Sequence, residues 1–203
     1  MDIYYIGGSP CSGKSTIAEM LASEYGFAYY KVDNFLDKHM QHAAEDGKIH
    51  SSSALKMSHN QTWMRDPYLQ MEEEIAFYEE IFQYILEDIK NIQSTKIIAE
   101  GAGFMPQLMV KEGISPDKYI CIVPTESFQR EKFVERPWIN IFLQDCEKPD
   151  IAFNNWMSRD VLFAQEMLRK AKEIGYEYIV TDGTREIKEN YGMVVKTFAL
   201  KLY

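Results

Sequence analysis

Short apolar runs rich in β-branched and aromatic residues recur along the chain, and stretches with apolar residues every three or four positions separate them. The runs at 3–7, 27–32, 96–100, 118–123 and 177–181 read as buried strands. Residues 14–25, 67–92, 153–174 and 187–200 read as helices. The first helix carries Ile17, Met20 and Leu21 at helical spacing. The longest follows Asp66 as a cap, takes Pro67 into its first turn, and sets Glu72, Glu73 and Glu74 toward the positive end of its dipole. Its Ile75, Tyr78, Phe82, Ile85, Leu86 and Ile89 form an apolar stripe. Residues 45–62, polar and including Ser51, Ser52 and Ser53, read as a mobile surface segment.

Strand alternating with helix predicts an α/β fold, a parallel sheet with helices on both faces and ligands bound at the carboxyl ends of the strands. The residues just after each strand are therefore the candidates for chemistry. A length of 203 residues suits one domain. The net charge of −9 argues against a nucleic-acid partner, whose phosphates need a basic face. No run of 18 apolar residues spans a membrane, and the N-terminus reads as a strand rather than a leader, so a cytoplasmic protein, monomer or homodimer, is expected. Cys11, Cys121 and Cys146 are too few and too scattered for a metal site and read as reduced thiols.

Directly after the first strand stand Gly8, Ser9, Pro10, Cys11, Ser12, Gly13, Lys14, Ser15 and Thr16, a full G-x-x-x-x-G-K-[ST] match between a strand and a helix. The two glycines let the backbone wrap a phosphate and turn N–H groups inward at a helix N-terminus. Lys14 reaches the β- and γ-phosphates, and Ser15 offers its hydroxyl to Mg²⁺. The motif predicts ATP and Mg²⁺ but leaves the reaction open, because switches, motors and kinases share it.

The other strand ends narrow the choice. Asp33 follows the second strand, where a carboxylate could take a proton from an attacking hydroxyl, and Asp37 lies one helical turn on as a candidate substrate ligand. Glu100 ends the third strand, where P-loop proteins hold Mg²⁺ or its water shell; it is a candidate for metal or acceptor contact. The segment after the fourth strand carries Arg130 and Arg136, which could close over the phosphates, and Arg159 follows as a third candidate. After the fifth strand come Asp182, Gly183, Thr184 and Arg185, by themselves an ordinary tight turn.

Taken together, the loop at 8–16, Asp33, the Arg130 to Arg136 segment and the Asp182-Gly183-Thr184 turn resemble the nucleoside-monophosphate-kinase-like branch of P-loop kinases, which includes shikimate kinase and chloramphenicol phosphotransferase. The resemblance implies a three-layer fold with a five-stranded parallel sheet in the order 2-3-1-4-5. It implies an acceptor-binding segment at about 33–95 and a mobile lid at about 125–150. It also implies that the turn at 181–185 receives adenine, with Arg185 on the ring. Lys31 stands two residues before Asp33, where a shikimate kinase would carry a second carboxylate.

Residues 33–95 hold twelve acidic and five basic side chains, Arg65 being the one arginine. A nucleoside monophosphate needs clustered arginines, whereas a hydroxyl acceptor needs a carboxylate such as Asp33. A small neutral or cationic hydroxyl compound is the expected acceptor, with Arg65 as a candidate contact. The alternatives are a nucleoside or nucleotide kinase, and an ATPase or nucleotide-dependent switch without an acceptor. His39 and His42, one turn apart, read as surface residues rather than a metal pair. Trp63, Tyr68 and Tyr78 read as core aromatics.

Overall fold

The computed structural model describes residues 1–136 and 138–201; Pro137, at the end of the arginine-bearing segment, lies outside the described residues. Five strands, β1 (Asp2–Gly8), β2 (Ala28–Lys31), β3 (Lys96–Glu100), β4 (Tyr119–Pro124) and β5 (Glu177–Thr181), form one sheet in the order β2-β3-β1-β4-β5. Every pairing is parallel. This is the predicted topology, and it puts the switch in strand order beside β1, where α/β sheets take their ligands.

The helices are α1 (Lys14–Tyr25), α2 (Leu36–Glu45), α3 (Ile49–Lys56), α4 (His59–Trp63), α5 (Pro67–Lys90), α6 (Pro106–Lys111), α7 (Glu126–Val134), α8 (Ile139–Leu143), α9 (Pro149–Ile174) and α10 (Ile187–Thr197). Alternate residues of the strands feed opposite faces of the sheet, as the two-residue period requires. Tyr4, Ile6, Ile98, Ile120 and Ile122 pack with Ile17 and Leu21 of α1 and with Val194 and Val195 of α10. Tyr5, Ile97, Ala99, Tyr119 and Cys121 pack with Ile81, Ile85 and Ile89 of α5 and Phe163 and Met167 of α9. No helix among the described residues is long and apolar enough to cross a membrane.

The reading of 45–62 as a mobile segment is corrected: α3 and α4 occupy most of it. Glu80 of α5 accepts from the His50 and Ser51 backbone N–H groups (2.9 and 2.8 Å) and from the Ser51 hydroxyl (2.7 Å). A remote carboxylate thus caps α3, satisfying donors that a helix start leaves free. Ser58 and Gln61 form a capping box on α4. At its end, Trp63 stacks on Trp156 of α9, centroids 4.1 Å apart. With Phe133, Ile139, Leu143, Ala152 and Met157 these two rings make a third apolar cluster, which ties the 125–150 region to α9.

Trp63 and Tyr78 are buried as expected, but Tyr68 is 55% exposed. His39 is buried rather than superficial, its Nε2 2.8 Å from Asp88 Oδ2. Among the described residues no group of three or more His, Cys, Asp or Glu side chains could hold a metal ion.

Candidate active site

The loop after β1 takes its shape from backbone geometry that few residue types tolerate. Gly8 has φ 120°, and a Cβ there would meet the Ile122 carbonyl oxygen at 1.9 Å. Gly13 has φ 85° at the start of α1, a helix that receives no side-chain cap. Cys11 adopts φ 61°, a left-handed conformation that costs a non-glycine residue on the order of 1–3 kcal/mol. The result is an uncapped helix N-terminus with its first N–H groups available to an anion.

Lys14 is 8% exposed. Its ammonium folds onto its own loop, donating to the Ser9 carbonyl (2.7 Å) and to Ser12 Oγ (3.5 Å). Burial lowers its pKa, and the negative charges of Glu100 and Asp33 offset part of that shift. Among the described residues the buried Ser9 hydroxyl has no hydrogen-bond partner.

Glu100, at the carboxyl end of β3 and 2% exposed, accepts from Ser15 Oγ (2.9 Å) and from the Tyr29 hydroxyl (3.0 Å) on one oxygen. Lys31 Nζ lies 3.9 Å from the same oxygen. Burial and this carboxylate together push the Tyr29 hydroxyl pKa up. The sheet register places Lys31 opposite Glu100, so the lysine counter-charge is built into the β2–β3 pairing.

A cleft of about 390 Å³ lies over the loop. Its walls carry Ser12, Gly13, Lys14, Ser15 and Thr16 on one side and Asp33, Glu100, Arg136, Arg159 and Asp160 on the others. Asp33 sits in a single 3₁₀ turn, Val32–Phe35, that continues directly from β2. It is exposed, and its carboxylate makes no hydrogen bond or ion pair among the described residues. It is not a helix cap, since Lys31 holds that position. Arg136 reaches the cleft with its guanidinium over the Phe133 and Trp138 rings, 5.0 and 5.7 Å from their centroids.

Two candidates fall elsewhere. Arg130 Nε donates to Glu126 (2.9 Å) and its Nη1 to Asn154 of α9 (3.4 Å), and Arg130 does not line the cleft. Asp37 is exposed on α2, outside the linings of the cavities described here. Arg65 is bound to Glu73 (2.5 Å) and lines a neighbouring cavity under α5.

A second cavity, against the other side of the phosphate loop, is lined by Gly13, Phe128, Arg136, Thr181, Gly183, Arg185 and Asn190. Asp182 Oδ1 accepts from the Thr184 backbone N–H (3.0 Å) and hydroxyl (2.6 Å), which sets the turn. Arg185 donates to the Val180 carbonyl (2.6 Å), fixing its guanidinium at the cavity edge.

Glu74, Asp160, Trp138 and Trp156 were not among the candidates read from the sequence. Asp160 is 1% exposed, and Arg159 contacts both Asp160 (2.6 Å) and Glu74 (2.5 Å). The angles leave both carboxylates short of well-directed hydrogen bonds. Burial raises the Asp160 pKa, and burial together with the Asp160 charge pushes the Glu74 carboxyl up to about 7. The one available signal was the Arg159-Asp160 dipeptide on an otherwise amphipathic helix.

No family model and no curated protein matches this chain. Among solved structures, TT1252 from Thermus thermophilus is 15% identical with a TM-score of 0.54, over 100% of this chain and 98% of that one. A gluconokinase from Sinorhizobium meliloti is 12% identical, TM-score 0.48, over 98% and 91%. A shikimate kinase from Aquifex aeolicus is 18% identical, TM-score 0.47, over 98% and 96%. At these identities the likeness is one of fold. The phosphate-loop sequence stands between β1 and α1 of a parallel sheet ordered β2-β3-β1-β4-β5, the P-loop arrangement that the sequence predicts.

Proposed function

We propose that this protein is an ATP-dependent phosphotransferase that moves the γ-phosphoryl group to a hydroxyl of a small molecule. The observation that carries this reading is one cleft in which an unpaired carboxylate, Asp33, shares walls with Lys14 and Arg136. In this reading the loop backbone at Gly8, Ser12, Gly13 and Thr16 holds the phosphates, with Lys14 exchanging the Ser9 carbonyl for phosphate oxygens. Ser15 and Glu100 fit Mg²⁺, since a hydroxyl and a carboxylate already meet there as hard oxygen donors. Bound there, the ion would offset negative charge on the phosphate oxygens. The turn formed by Asp182, Gly183, Thr184 and Arg185 borders the cavity suited to adenine.

Asp33 accepts the hydroxyl proton as the acceptor oxygen bonds to the γ-phosphorus. The bond from that phosphorus to the oxygen bridging the β-phosphate breaks, and ADP leaves with its electron pair. Arg136 and Lys14 stabilise the charge on the transferring group. Arg159 sits beside them but is already shared by Glu74 and Asp160, so its part is to neutralise the cleft wall.

The test is ADP release from Mg-ATP with sugars, sugar acids, amino alcohols, nucleosides and nucleoside monophosphates. An acceptor-dependent rate in wild type that falls about 10²-fold or more in Asp33→Asn, with ATP binding kept, is expected. Lys14→Ala should lose turnover with every acceptor. A monophosphate acceptor used equally well by Asp33→Asn would point to a nucleotide kinase. ATP turnover indifferent to every acceptor would point to a switch.

A further inference from the structure

Three donors converge on one oxygen of the buried Glu100 carboxylate. Ser15 Oγ donates at 2.9 Å and the Tyr29 hydroxyl at 3.0 Å, while Lys31 Nζ stands 3.9 Å away, beyond hydrogen-bond reach. The Ser15 proton points at the carboxylate, so the lone pairs of its oxygen are left for a cation. Two hydroxyl donors on one oxygen also fix the carboxylate's orientation, the way groups behind a metal ligand set its aim.

Tyr29 and Lys31 reach Glu100 from the same face of β2, two residues apart. Their surroundings differ. The Tyr29 ring packs against the apolar cluster of Ile17, Leu21 and Ile98, and Tyr29 is not among the residues lining the cleft. Lys31 lines the cleft, its side chain 27% exposed, and its one ion pair among the described residues is the loose contact with Glu100. The tyrosine is a neutral donor and orients the oxygen without opposing a metal ion. The lysine is a cation and competes with one by charge.

We propose that Tyr29 and Lys31 are opposed positioning residues of the metal site: Tyr29 holds Glu100 ready for a divalent cation, whereas Lys31 acts as the carboxylate's counter-charge and weakens the cation's binding. Together they set how strongly nucleotide binding depends on the metal. The inference rests on the reading, proposed above, that the phosphate loop binds nucleotide with Mg²⁺ at Ser15 and Glu100.

The experiment is calorimetric titration of the full chain with ADP, once with Mg²⁺ and once with EDTA, which gives the metal's effect as a ratio of two affinities. Tyr29→Phe removes only the hydroxyl and is expected to lower that ratio about tenfold, the low end for loss of a group behind a metal ligand. Its ADP affinity in EDTA should stay at the wild-type value and so report an intact loop. Lys31→Met is expected to raise the ratio about threefold, the modest weight of a partly exposed charge, and Lys31→Arg to leave it unchanged. A general loosening of the site would instead lower the ratio in both Tyr29→Phe and Lys31→Met. An unchanged ratio in Tyr29→Phe, or a fall in Lys31→Met, would overturn the proposal and leave the kinase reading intact. Wild-type binding of ADP that ignores Mg²⁺ would overturn it together with the assignment of Ser15 and Glu100. Wild type that binds no ADP would remove the nucleotide reading as well.

Discussion

Arg130 and Arg136 stand on one short segment, yet only Arg136 reaches the cleft. Arg130 belongs to a surface pair with Glu126 and to Asn154, and exposed pairs of this kind contribute little. Arg130→Ala is expected to leave kcat within about threefold, while Arg136→Ala lowers it about 10²- to 10³-fold, the usual effect of removing a charge-stabilising donor. Steady-state kinetics of the two variants would check this, and equal losses would show that α7 moves during turnover. The residues themselves made both arginines candidates. What separated them was Asn154, contributed by α9, together with the Phe133 and Trp138 rings under Arg136, none of which sequence spacing relates to the phosphate loop. Asp33 and Glu100 were legible for the opposite reason: each follows directly from the end of a strand, so one local rule places it.

At the scale of elements, the junction of α5 and α9 buries Glu74, Arg159 and Asp160 together. The Glu74 carboxyl, at about 7 in the folded protein against 4.5 for the free group, keeps a proton that the unfolded chain has lost between those values. Its contribution to stability is therefore full below about 4.5 and is lost as pH rises through 7. Asp160, also raised by burial, acts in the same direction. Urea denaturation from pH 5 to 8 should show stability falling across this window, and Glu74→Gln should flatten the slope; an unchanged slope would mean the carboxylate is ionised throughout. The same two helices order residues 45–62. Weak local signals predicted no order, but Glu80 caps α3 and Trp156 anchors the end of α4. These partners lie 29 or more positions away, beyond the reach of any local pattern.

For the whole molecule, the loop after β1, the end of β3 and the cleft beneath α9 meet only when the sheet is assembled, so nucleotide binding should stabilise the fold as a unit. Mg-ATP at about a hundred times its dissociation constant is expected to add about 2.7 kcal/mol, a rise of roughly 5–10 °C in Tm for a chain of this size. Thermal unfolding would measure it. Chelating the metal should shrink the shift, and Lys14→Ala should remove most of it; a shift that survives Lys14→Ala would place the nucleotide elsewhere. The phosphate loop, the strands and the alternation that makes the sheet parallel were determined by the sequence alone, because each is written in contiguous residues through glycine conformations, side-chain period and helix-start chemistry. The sheet order came from resemblance, and the assembled sheet bears it out. Which of Arg130 and Arg136 lines the cleft over the loop, the buried Glu74, Arg159 and Asp160 cluster and the apolar cavity under α5 were decided by tertiary structure. Charge pairing and desolvation act between side chains that only folding brings together.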